Sequence, residues 1–175
     1  GINGVAAGRT AGWAMARLAA AEGESGVLLG SQRYLGQEAN ERGFRAAFAA
    51  YAPNRPDRDT MVYLDDEAVA YSAAQELLDQ CDGMVGLYHS GGGVGGVARA
   101  LEESGCADRV TYICHARTPD SEAALRAGTA DFVISASFTQ MATTRATCMA
   151  DAVRLGGPGP PPPPERFELL TVESL

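Results

Sequence analysis

The residues most able to do chemistry crowd into one stretch, YHSGGGVGG, from Tyr88 to Gly96. Gly91, Gly93 and Gly96 stand at the G-x-G-x-x-G spacing that lets a backbone wrap a pyrophosphate, after an apolar run and before a helical pattern. That turn recognises a dinucleotide only with an acidic residue about 20 positions on to reach the ribose hydroxyl. Here the position falls in CHART, where His115, Ala116 and Arg117 stand. Arg117 would suit a 2′-phosphate, yet the turn follows the third apolar run, whereas the fingerprint belongs to the opening βαβ unit of its fold. A nucleophile elbow around Ser90 would need glycine in place of Tyr88. With two histidines, no nucleophile and base at motif spacing and no metal-ligand set, the sequence points to a protein that is not an enzyme, and neither cofactor nor metal is expected.

Composition narrows the classes further. The chain has 175 residues, 46% hydrophobic and 21% charged, with no apolar run approaching the ~18 residues of a membrane span. A net charge of −8 with 14 Lys plus Arg and no basic cluster leaves nothing with which this chain could grip a phosphate backbone. Cys81, Cys106, Cys114 and Cys148 lack the spacing of a zinc or redox site and the density of a disulfide scaffold, so reduced, mostly buried thiols are expected.

Outward from the glycines, short β-rich runs alternate with stretches of helical periodicity. The runs are GVLLG (26–30), TMVYL (60–64), GMVGLY (83–88), VTYIC (110–114) and DFVIS (131–135). Helices are predicted at 6–22, 37–51, 67–80, 94–104, 121–126 and 139–155. Strands apolar on both faces and joined by helical crossovers make an α/β fold with a doubly wound parallel sheet. Ligands of such sheets bind outside the carboxyl ends of the strands, so the loops at 31–35, 65–67, 89–93, 115–118 and 135–138 should converge on one edge. The proline run 160–164 favours extended polyproline II and reads as a semi-rigid spacer, or less readily as a ligand for a proline-reading domain. It leads to RFELLTVESL, where Phe167, Leu169 and Thr171 alternate with Glu168 and Leu170 as in an added strand.

GLYHSGGGVGGVARALEESG followed by VTYICHARTPDSEAALRAGTADFVI resembles the effector-binding domain of lactose-repressor-type transcription regulators, bacterial relatives of the periplasmic sugar-binding proteins. GINGVAAGRTAGWAMARL is similar to that family's crossover into its second lobe, GVLLGSQRYLGQEANERGFRAAFAA to the strand, loop and helix that follow, and DDEAVAYSAAQELL to the next unit. The resemblance covers nearly the whole chain. It implies one lobe of a type I periplasmic-binding-protein-like fold plus a crossover helix and a C-terminal strand, with residues 1–137 the C-terminal lobe, 138–155 a helix belonging to a first lobe outside this chain, 156–165 a linker and 166–175 a terminal strand. A fragment of a longer protein is expected.

The implied ligand is a sugar or similar small polar effector, which offers vicinal hydroxyls to carboxylates, amides and imidazoles. By position the resemblance implies Asn3, Tyr34, Gln37, Glu38, Asp65, Asp66, His89, His115, Arg117 and Ser137 as ligand-binding residues. Each has a plainer role open to it: Asp65 and Asp66 suit a helix cap, Glu38 and Arg42 an i, i+4 surface pair, and Tyr34 the core. Ala116 stands where members usually carry an acidic hydroxyl-binder, and SAS at 135–137 replaces a more polar crossover, so no particular sugar is implied. The resemblance further implies a cytoplasmic regulator acting as a homodimer and reaching operator DNA only through a helix-turn-helix outside this chain. A periplasmic solute-binding protein of a sugar transporter is the alternative, and a nucleotide-binding enzyme a weaker one.

Overall fold

The computed structural model describes residues 1–20, 22–79, 83–159, 161–162 and 165–175. Its elements run α1 (Gly4–Leu18), β1 (Glu24–Leu29), α2 (Leu35–Tyr51), β2 (Asp57–Val62), α3 (Glu67–Asp79), β3 (Met84–Ser90), α4 (Val94–Glu103), β4 (Thr111–His115), α5 (Pro119–Ala127), β5 (Phe132–Ala136), α6 (Phe138–Leu155) and β6 (Phe167–Leu170), closed by a 3₁₀ turn at Val172–Ser174. The strands form one sheet in the order β2-β1-β3-β4-β5-β6, parallel through β5, with β6 antiparallel at the edge. This is the expected doubly wound α/β layer. No helix among the described residues is long and apolar enough to cross a membrane.

Two cores lie on opposite faces of the sheet. On one, Ala7, Ala11, Met15, Phe44 and Phe48 of α1 and α2 cover Val27, Tyr88, Ile113 and Ile134. On the other, Ala70, Leu77, Val97, Leu101 and Leu125 of α3, α4 and α5 cover Leu28, Leu87, Tyr112 and Val133. Strands buried on both faces cannot alternate in polarity, which is why they read as unbroken apolar runs. The closeness of α1 to α2 depends on small residues: a Cβ at Gly8 would strike the backbone of Asn40, and one at Gly43 the backbone of Val5. That approach sets the height of Asn40 against the sheet.

Helix ends depart from the sequence reading for local reasons. The first helix starts at Gly4 because the Asn3 side chain accepts from Ala6 N at 3.0 Å, and it stops at Leu18, before an extended Ala19, where helical periodicity ran on to 22. The fifth starts at Pro119, held by a capping box in which Thr118 and Ser121 exchange side-chain and backbone bonds. The terminal segment pairs over only four residues, Phe167 turning to the α1 face and Leu170 to the α5 face. Cys106 and Cys114 are buried free thiols and Cys148 is half-buried, while Cys81 and prolines 160, 163 and 164 lie outside the described residues. No residue of α6 is buried: its apolar stripe, with Met149 71% and Val153 84% exposed, does not fold back over the sheet.

Candidate functional site

All five βα loops do meet at the carboxyl edge of the sheet, and a cleft of about 330 Å³ opens there. Its lining is Gln37, Asn40, Ser90, Gly91, Gly92, Gly93, Val94, His115, Ala116, Thr118 and Asp120. Asn40 comes from α2, one helical turn after Gln37 on the same face. Ser90 ends β3 and His115 ends β4, side by side in the sheet, while Thr118 and Asp120 open α5.

The glycines answer to packing. Gly93 sits at φ 72° and starts α4, Gly96 lies against the backbone of Glu67, and Gly91 fits beneath the Tyr63 hydroxyl and Asp65. The Asp65 carboxylate accepts the Gly92 N–H at 2.7 Å. A phosphate bound at that amide would meet this carboxylate, so the loop is not a phosphate cradle.

Of the residues expected from sequence, Gln37 and His115 line the cleft. Gln37 Oε1 accepts from Ser31 N at 2.6 Å and its Nε2 donates to Asp65 at 3.3 Å, so both residues brace the loops after β1, β2 and β3. Asp66 caps α3 through Val69 N at 3.0 Å, the plainer of its two roles. Glu38 faces Arg42 at 3.7 Å in an exposed i, i+4 pair. Asn3 spends its carbonyl capping α1. Tyr34 precedes α2 and is 58% exposed, outside the core. Arg117 turns onto Glu122 at 2.6 Å, and its backbone N–H donates to Ser135. That guanidinium and Arg126 hold the Glu122 carboxyl below its ordinary range. Ser137 stands at the start of α6 without a side-chain cap bond.

His89 lies beneath the loop, fully buried among tyrosines. Its Nε2 faces both Gly92 O at 2.9 Å and the Tyr63 hydroxyl, and its Nδ1 faces the Tyr112 hydroxyl at 2.7 Å. A carbonyl only accepts, so Nε2 carries the proton and Nδ1 accepts from Tyr112. Burial pushes His89 down to about 4 and His115 to about 3, so both rings are neutral.

Sequence reasoning missed Asn40, Ser90, Thr118 and Asp120. Asn40 is buried, donating to Ser90 Oγ at 3.0 Å while its Oδ1 has no hydrogen-bond partner among the described residues. The signal was i, i+3 from Gln37 for Asn40, and i, i+2 from Tyr88 for Ser90. Among the described residues no group of His, Cys, Asp and Glu could hold a metal ion.

Beyond geometry, the chain belongs to a defined family: the periplasmic binding protein domain matches residues 1–157. Among solved structures, it is similar to GanP, a glucose-galactose binding protein from Geobacillus stearothermophilus, at 19% identity over 100% of this chain and 62% of that one, TM-score 0.90. A sugar-binding protein of a sugar ABC transporter from Bacillus halodurans matches at 19% identity over 99% of this chain and 63% of that one, TM-score 0.88. An ABC transporter solute binding protein from Burkholderia graminis, in complex with D-arabinose, matches at 21% identity over 99% and 61%, TM-score 0.89. The chain thus spans less than two thirds of the length of these structures, and the likeness at such identity is one of fold. No curated protein matches the chain in sequence.

Proposed function

We propose that this chain is the C-terminal lobe of a solute receptor for a neutral sugar or similar polyol, with the ligand seated at the carboxyl edge of the sheet. The observation that carries this reading is the lining of the cleft. Asn40, Ser90, His115, Thr118 and Asp120 offer amide, hydroxyl, imidazole and carboxylate groups, and among the described residues no Lys or Arg lines the cleft, Arg117 being paired with Glu122. Such a surface suits hydroxyls, which donate and accept at once, and repels sugar acids and phosphates. Structural neighbours described as glucose-galactose and D-arabinose binders support the ligand class. Residues 1–137 form the lobe, α6 packs on a second lobe, residues 156–165 link back, and 166–175 add the edge strand. The apolar stripe of α6 supports this division.

A periplasmic receptor feeding a transporter is the reading we favour over the cytoplasmic, dimeric, operator-binding regulator implied by the order of sequence motifs. Both use the same cleft without catalysis, and cell fractionation of the complete protein separates them. Calorimetry with D-arabinose, D-galactose and D-glucose tests the ligand class. Saturable heat is expected from at least one neutral aldose and none from the matching sugar phosphate, with Asp120→Ala weakening binding about tenfold. Binding of the phosphate alone would overturn the assignment.

A further inference from the structure

Behind the cleft wall two polar pairs sit in an otherwise apolar layer. Asn40 Nδ2 donates to Ser90 Oγ at 3.0 Å, and two residues back along β3 the Tyr88 hydroxyl lies 2.7 Å from His115 Nε2. The three strand residues fall on one face of the sheet, because Tyr88 pairs with Ile113 and successive alternate residues point the same way. Tyr88 is clamped by ring stacking on Phe44 at 4.3 Å and an edge contact with His115, so its hydroxyl cannot swing elsewhere.

The buried Tyr88 hydroxyl fixes the direction of the proton between it and His115. If His115 Nε2–H donated to Tyr88, the tyrosine's own proton would need another acceptor, and among the described residues that hydroxyl hydrogen-bonds to Nε2 alone. The Tyr88 hydroxyl hydrogen would then be left without an acceptor at a fully buried residue. A buried donor left unmade costs about 1–3 kcal/mol. In the opposite direction Tyr88 donates to Nε2, and its buried hydroxyl is satisfied. His115 Nδ1, which no described residue hydrogen-bonds, then carries the remaining proton.

We propose that Tyr88 is a positioning residue whose hydroxyl fixes His115 as the Nδ1–H tautomer, so that the cleft floor presents a hydrogen-bond donor to a ligand oxygen. The assignment of that oxygen to a sugar rests on the receptor reading; the tautomer does not. His89 is held as the opposite, Nε2–H, tautomer, and the chain has only these two histidines.

Nitrogen-15 labelling of histidine followed by long-range proton–nitrogen correlation at neutral pH reads both tautomers directly. The expected spectrum has Nε2 protonated in one ring and Nδ1 in the other, the second assigned to His115 by its loss in His115→Gln. Two Nε2–H rings would overturn the proposal. In Tyr88→Phe the His115 nitrogens should move toward averaged positions while His89 stays fixed; an unmoved His115 overturns the role of Tyr88. Should that variant fail to fold, Ser90→Ala keeps the tyrosine donor, so His115 must stay Nδ1–H, and a switch to Nε2–H contradicts the assignment. Titration with D-arabinose, D-galactose and D-glucose then separates the two claims. If no sugar moves a cleft resonance while His115 remains Nδ1–H, the receptor reading fails and the tautomer stands. If a sugar binds while His115 is Nε2–H, the tautomer fails and the receptor reading stands.

Discussion

Two neutral histidines under one glycine loop make the acid stability of this chain depend on named residues. An unfolded chain takes up a proton at each histidine as pH falls through about 6.5. The folded chain takes up none until about 4 at His89 and about 3 at His115. Across that window the unfolded state binds more protons, so stability falls with falling pH. His115→Gln removes one of those protons and leaves every other titrating group in place. Urea unfolding between about pH 6 and about pH 4 should show a shallower dependence in the variant, by roughly 1.4 kcal/mol per pH unit at most. An unchanged slope would mean that His115 is charged or exposed in the folded chain. At this scale the sequence was least legible. Residue type and loop position marked His89, Asp65 and Asp66 as ligand groups, but burial beneath tyrosines took the first, a loop-bracing amide bond the second and a helix cap the third. Those uses depend on partners 23 to 27 positions away or on the exact start of a helix, which a local pattern does not carry.

At the scale of elements the sequence was far more legible, because β1, β3, β4 and β5, largely buried in the sheet, and the crossovers write themselves as apolar runs and helical stripes. All five strands and all six helices stand where periodicity put them, with ends moved by the Asn3 cap and the Thr118–Ser121 box. The exception is the setting of α6. It carries an apolar stripe as α1 and α2 do, yet none of it is buried. Periodicity says which face wants a partner and not where that partner is. Substitutions should therefore separate the two kinds of stripe in this chain. Phe44→Ala removes a ring buried between Phe48 and Tyr88 and should cost about 3–5 kcal/mol. Met149→Lys and Val153→Glu, on the bare face, should leave the thermal midpoint within about 2 °C. A large loss from the α6 pair would show that the helix packs on this lobe after all.

For the whole molecule, the family match and the gathering of polar groups at one edge of the sheet lead to the same place. As one lobe of the proposed two-lobed receptor, this chain would contact only one side of its ligand, so alone it should bind weakly and at a defined location. The central claim is that location. Backbone amide resonances of the chain, followed during titration with D-arabinose, D-galactose and D-glucose to high millimolar concentration, test it directly. Saturable shifts confined to Asn40, Ser90, Gly91 to Gly93, His115 and Asp120 are expected for at least one of these sugars. Shifts gathered instead around Glu24, Arg58 and Thr60 at the opposite edge of the sheet, or none from any sugar, would contradict it.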